Sequence, residues 1–386
     1  MEHRFLRKRD ENPSTRTPLQ LVPVGAALIL SLAIAIAVAA GGVAVVLLLL
    51  GMPSPKPSAT ISVAELLEVI KLAMAAVAGI GGVLALVIAY RRQRVLEATA
   101  LLEHAKEERE RTRLFNERFT AAAGQLGHED PAVRLAGVHA LAGLADDWPA
   151  GRQTCIDVLC AYVRMPFEVR PKPGKPIPVQ ASAMGEVRGT VWRVLGEHLR
   201  PTAAVSWSGY NFDFTGAVID RDVPFYDAQL HGGKMKFTRV KLLRGAIWFH
   251  RAVFDGADVS FAEAELVGGE LSFGDATFAD GVVWFVGARF QGSEVSLYRT
   301  TFCGGEVWFD QAEFSGGRIY FENSTFSGGK AYFGNARFTG ATLDFAGASF
   351  AGGEVDLRCA SGVAPSSSNL PEAAPGLLLP TTIAAS

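Results

Sequence analysis

The stretch that decides the fold is Glu306–Ala341, EVWFDQAEFSGG RIYFENSTFSGG KAYFGNARFTGA, three copies of one twelve-residue unit. Phe309, Phe321 and Phe333 recur at that spacing, and Phe314, Phe326 and Phe338 follow each of them by five residues. A small residue (Ala312, Ser324, Ala336) stands between the two phenylalanines, and Val307, Ile319 and Ala331 precede each first one by two. Working outward, the first column continues through Phe249, Phe261, Phe273, Phe285 and Phe345, with Leu297 in one place. The second continues through Phe254, Phe278, Phe290 and Phe350, with Leu266 and Phe302 filling the series. The pattern runs back to Phe214, where the spacing slips to eleven, giving about twelve units and a decaying thirteenth at Leu357.

Apolar residues two apart point to the same side of an extended chain. The position between Ala and the second Phe is mostly polar or charged (Glu265, Thr277, Arg289, Thr301, Glu313, Thr325, Arg337), as an outward position should be. Short extended pieces with inward pairs, separated by turns, wind into a solenoid whose stacked coils supply the backbone hydrogen bonds. Glycine pairs such as Gly268-Gly269 and Gly316-Gly317 punctuate the unit, and glycine supplies the positive φ that tight corners require.

Here the sequence resembles the pentapeptide-repeat family, whose unit has a large apolar residue preceded two positions earlier by a small one, as in Ala276-Thr-Phe278, Ala312-Glu-Phe314 and Ala336-Arg-Phe338. The resemblance implies a right-handed quadrilateral β-helix with four sides per coil. This chain alternates spacings of five and seven instead of a uniform five. Two units then give four sides and a 24-residue coil, because a twelve-residue coil is too tight to hold the phenylalanines. The expectation is about six coils spaced roughly 4.8 Å apart. The segment before it, RLFNERF (113–119) and LGHEDPAVRLAGVHALAGLADD (126–147), resembles membrane-anchored bacterial members of the same family.

The remaining composition points to a membrane. The chain has 386 residues, 37 Lys+Arg against 39 Asp+Glu, and 49% hydrophobic residues, with a mean hydropathy of +0.21. The apolar surplus is concentrated at 19–51, which holds no charged residue, and at 69–90. Each exceeds the roughly 20 residues needed to cross a bilayer. Arg4, Arg7, Lys8, Arg9 and Arg16 precede the first span, and Arg91, Arg92 and Arg94 follow the second, while the loop 52–68 carries only Lys56 before Glu65. That asymmetry places both termini in the cytoplasm. The domain reading is a basic tail 1–18, span 19–51, external loop 52–68, span 69–90, charged helical stalk 91–127, small helical module 128–169, Pro-rich linker and short helix 170–200, β-solenoid 201–360, and a disordered tail 361–386. The fold class is thus a multi-domain membrane protein: two transmembrane helices, an all-α spacer and an all-β solenoid.

Chemistry is sparse. There is no HExxH, P-loop lysine or GxSxG, and no Cys–His pair at useful spacing, so neither a catalytic residue, a cofactor nor a metal site is expected. Cys155 and Cys160, five apart without a histidine at ligand spacing, read as buried structural thiols. The outward position before each first-column aromatic holds Trp248, Trp284, Trp308, Tyr320 and Tyr332. In a 24-residue coil Trp284, Trp308 and Tyr332 stack on one face. They are either a partner-binding stripe or a ladder that stiffens the sheet. Residues 201–251 hold four acids against seven Lys/Arg, and 252–360 fifteen against six. The acidic half gives the alternative reading of a DNA mimic acting on a DNA-binding protein or topoisomerase; near-zero net charge argues against direct nucleic-acid binding. The expected partners are the lipid bilayer, a cytoplasmic protein, and a second copy through the membrane helices or stalk.

Overall fold

A computed structural model describes residues 63–166, 179–362 and 375–379, with isolated helical positions between 29 and 48. The basic tail 1–18, nearly all of the first apolar span 19–51, most of the loop 52–68 and the proline run 170–178 lie outside the described residues. So does most of the tail beyond 362. The chain divides into two compact units, 1–110 and 111–386.

The first unit is dominated by a helix that runs unbroken from Val63 to Leu126 and ends in the second unit. Its Ile70–Leu126 portion contains an 18-residue window of mean hydropathy 2.5, none of it buried. Among the described residues this is the one helix long and apolar enough to cross a membrane. No proline interrupts it, so nothing in the sequence ends the helix where the apolar stretch gives way to charge.

In the second unit the last turns of that helix enter a helical module. Phe115 stacks on Phe119 at 5.7 Å and tilts against Trp148 at 5.6 Å. Asp130 caps the next helix, Pro131–Asp147, by accepting a hydrogen bond from the Ala132 N–H at 2.8 Å, with Pro131 in the first position. This helix buries Val138, Leu141, Leu144 and Ala145 against Ile156, Leu159, Cys160 and Val163 of the helix Arg152–Arg164. A third helix, Val179–Glu197, lies over the first solenoid coil, where Trp192 meets Phe214 at 4.6 Å and Phe225 at 6.3 Å. Two buried arginines join helices to solenoid. Arg188 donates to the carbonyls of Val163 at 2.6 Å, Met165 at 3.1 Å and Val218 at 3.2 Å, and burial pushes its pKa down to about 10. Arg152 donates to Ala145 and Asp146 carbonyls and lies over the Tyr210 ring. Each thereby occupies carbonyls at a helix C-terminus.

From Phe212 onward the chain is a parallel β-solenoid of about six turns and 24 residues per coil, consistent with a pentapeptide-repeat-like fold. Every ladder pairs strands in parallel, and most pairs are offset by 24: Phe278 opposite Phe302, Val283 opposite Val307, Glu265 opposite Arg289. The offset is 23 where Phe212 faces Met235 and Val218 faces Lys241, and an irregularity interrupts the ladder at Gln291. Four short strands occur per coil, as in Gly281–Trp284, the two ends of Arg289–Ser296, and Thr301–Phe302. The backbone is satisfied between coils, for example Phe309 N–H to the Tyr332 carbonyl at 2.7 Å. Leu377–Leu378 adds a final rung, pairing with Val355 and Asp356.

Inside, the phenylalanines form ladders. Phe237, Phe261, Phe285, Phe309 and Phe333 succeed one another at 4.6, 5.0, 4.8 and 4.6 Å, with nearly parallel rings. Phe254, Phe278, Phe302, Phe326 and Phe350 do the same at 4.6, 4.8, 4.5 and 5.1 Å. All are buried except Phe350, which is half-buried at the far end. Where Thr300 and Ser324 replace the usual alanine, their hydroxyls donate to the Phe273 and Leu297 carbonyls at 2.9 and 2.5 Å, so polar groups enter the core without an unmet bond.

The corners differ from the sequence expectation in one respect. After each first-column residue, the chain turns through a left-handed residue two positions on, and the small residue's N–H closes the turn, as Ala312 does onto the Phe309 carbonyl. That left-handed position is held by Asp227, Arg239, Arg251, Glu263, Asp275, Arg299, Gln311, Asn323 and Asn335, with φ between 53 and 59°, and by glycine in three units, Gly216, Gly287 and Gly347, with φ between 66 and 73°. The glycine pairs serve another corner. Gly317 has φ 86°, and a Cβ there would run into the Ser293 carbonyl oxygen of the neighbouring coil. Glycine is needed there by close approach as well as by φ.

Candidate interaction surface

The 24-residue register turns outward strand positions into columns. One column holds Ser260, Trp284, Trp308, Tyr332 and Asp356. Trp284 and Trp308 stack at 5.6 Å and 26°, and Trp308 and Tyr332 at 4.2 Å and 33°. Their ring faces are therefore largely spent on one another, which leaves edges and N–H groups at the surface. Trp284 Nε1 donates to Asp258 at 2.9 Å and Trp308 Nε1 to Glu306 at 2.9 Å. Lys330 Nζ stands 6.0 Å from the Tyr332 ring centre. All three aromatics are half-buried.

Trp248 and Tyr320 belong to a different column, with Ser272 and Ser296 between them. The five aromatics therefore form no single stripe. Three make a continuous stack, and the other two stand apart from each other on another face, separated by the two serines. Trp248 stacks on Tyr226 at 6.1 Å, with its Nε1 buried and unbonded. Tyr320 places its hydroxyl 3.4 Å from Glu294.

Charge is organised by the same register. Lys241, Glu265, Arg289, Glu313 and Arg337 alternate in sign up one column, with ion pairs at 2.7, 3.5 and 3.8 Å. At a corner Arg251 clasps Asp227 through two bonds of 2.6 and 2.7 Å and holds its carboxyl below the usual range, and Arg299 meets Asp275 at 3.0 Å. Among the described residues one in-register pair breaks the rule: Glu270 lies opposite Glu294. Burial, with Glu294 and Asp222 nearby, raises the Glu270 carboxyl above its usual range. These columns escape a twelve-residue reading, because charges alternate only once the coil is known to be two units long.

Near the solenoid base, His198 stacks on Trp207 at 3.9 Å; Trp207 Nε1 donates to Asp146 at 2.8 Å, and His198 Nε2 lies 3.2 Å from the other oxygen of that carboxylate. This cluster joins a helix of the module to the entry loop. Burial pushes the Cys155 thiol up to about 11 and raises Cys160 further, so both are poor nucleophiles at neutral pH. No group of three potential metal ligands occurs among the described residues. No family model matches the chain, and comparisons with curated proteins and with solved structures find no match.

Proposed function

We propose that the chain is a membrane-anchored, non-enzymatic scaffold of the pentapeptide-repeat type, in which the solenoid is a rigid cytoplasmic surface for a protein partner. The observation that carries the anchoring is the unbroken helix Val63–Leu126, whose apolar window is wholly unburied and whose other end packs on the helical module. An 18-residue window of hydropathy 2.5 exposed to water would be strongly unfavourable, and a bilayer removes that cost. The preceding apolar run 19–51 supplies a first span, and the flanking Lys and Arg put both termini on the cytoplasmic side. For the binding surface the reading rests on the Trp284–Trp308–Tyr332 column, a pre-ordered aromatic edge that loses little entropy on binding.

Crosslinked pull-down from native membranes tests it, comparing the full chain with Trp284→Ser/Trp308→Ser/Tyr332→Ser. Capture of a defined partner by the parent and its loss in the variant, with the solenoid still folded, is the expected result. Equal capture by both would move the site elsewhere. The DNA-mimic alternative draws on the acidic distal half, but two of its columns, Glu265–Arg289–Glu313–Arg337 and Glu306–Lys330–Glu354, alternate in sign, whereas duplex DNA presents rows of one sign. An absence of any effect on topoisomerase supercoiling at high protein concentration would dismiss it.

A further inference from the structure

The charged half of the long helix carries an unpartnered apolar seam. Ile88, Val95 and Leu102 are 59, 60 and 71% exposed and recur every seven residues, with Ala98 and Ala105 interleaved at the three-four spacing. Towards the N-terminus the same progression runs through Leu84, Gly81, Val77 and Met74 of the apolar window. Towards the C-terminus it stops at Arg109, after which Phe115, Phe119, Ala122 and Leu126 turn to the helical module. From Met74 to Ala105 the seam is about 46 Å long at 1.5 Å per residue.

We infer that this seam pairs with the same segment of a second copy of the chain, in register, as a parallel two-stranded coiled coil. The inference rests on the membrane-anchor reading, which makes both copies enter the bilayer with one orientation and so excludes the antiparallel arrangement. Three successive large apolar residues at seven-residue spacing, Ile88, Val95 and Leu102, are self-complementary: each side chain inserts into a hole formed by its own equivalents. β-Branched Ile88 and Val95 in the first core position favour two strands. Small Ala98 and Ala105 in the second let the backbones approach closely. In this register Leu101 of one copy lies beside the stem of Lys106 of the other, which covers the edge of the seam. Arg91 is the one cation in the seam; it stands where the apolar window ends, within reach of lipid headgroups. The assembly would place two solenoids on one stalk, presenting the aromatic column twice.

The test uses the full chain in phospholipid vesicles, with Cys303 and Cys359, the two exposed thiols, changed to Ser. Single cysteines are then placed at Ala98, Leu102, Glu103 and Glu107, and disulfide dimer is scored after mild oxidation. Ala98→Cys and Leu102→Cys should give about tenfold more dimer than Glu103→Cys and Glu107→Cys, which the heptad places outside. Equal yields, or a maximum at Glu103, would overturn the proposal. So would a single-copy mass for the cysteine-replaced parent, whereas a two-copy mass that falls to one in Val95→Glu/Leu102→Glu with unchanged tryptophan fluorescence would support it. Vesicle flotation of the same samples reports separately on the anchor: a chain that fails to float loses the anchor reading, whatever its oligomeric state.

Discussion

The solenoid and the long helix both repeat apolar side chains along one direction, yet they treat them in opposite ways. In the solenoid each repeat is folded over by the next, so Phe285 lies between Phe261 and Phe309 and is 1% exposed. On the long helix Leu102 recurs seven residues after Val95 and remains 71% exposed. The difference is one of closure. A chain that returns every 24 residues supplies its own neighbours, whereas a straight helix never returns and must find them in lipid or another chain.

The largest effect should follow from breaking closure. Phe309→Ala removes a ring stacked at 4.8 and 4.6 Å on both sides and fully buried, and should cost about 3–5 kcal/mol in denaturant unfolding of the full chain. The equivalent truncation on the stalk, Leu102→Ala, should leave the solenoid's unfolding midpoint unchanged. Next comes Arg188→Met, which takes the donor from four carbonyls at the helix–solenoid junction; the loss should be about 2–3 kcal/mol. A smaller effect of defined sign is expected at the left-handed corners. Gln311→Val should destabilise by about 1–2 kcal/mol, because a β-branched side chain is worst at φ 59°, and Gln311→Gly should be neutral or stabilising. Smallest is the Asp227–Arg251 clasp. The Asp227 carboxyl is depressed in the fold, so its contribution is present above the unfolded pKa and lost as pH falls through the folded one. Asp227→Asn should therefore lower the thermal midpoint slightly at pH 7 and not at all in strong acid.

The coil was legible because its signal is redundant: Phe, Ala and the aliphatic position each repeat at twelve, and only two such units enclose enough space for paired rings. The role of the left-handed corners was not legible. Gly216, Gly287, Gly347, Asp227, Asp275, Asn323 and Asn335 are residue types that favour a left-handed turn, but Arg, Glu and Gln hold the same position in the other units and mask that signal, since the turn is imposed by the flanking Phe and Ala. The separation of Trp248 and Tyr320 from Trp284, Trp308 and Tyr332 was legible once the coil was read as two units, because such a coil sends alternate units to different faces. Arg188 and Arg152 carry no signal in one sequence, because a buried arginine among helical residues reads like any surface charge. The final rung at Leu377–Leu378 is visible only as a short apolar cluster in a Ser- and Pro-rich segment.

The columns, the aromatic edge and the alternating charges all depend on two units making one coil. Paired cysteines test that directly in a chain with Cys303 and Cys359 replaced. Glu265→Cys with Arg289→Cys, in register on adjacent coils, should oxidise to an intramolecular disulfide, because neighbouring strands lie about 4.8 Å apart. Glu265→Cys with Thr277→Cys, one unit apart, should not. A disulfide in the second pair and none in the first would mean a twelve-residue coil and would contradict the account.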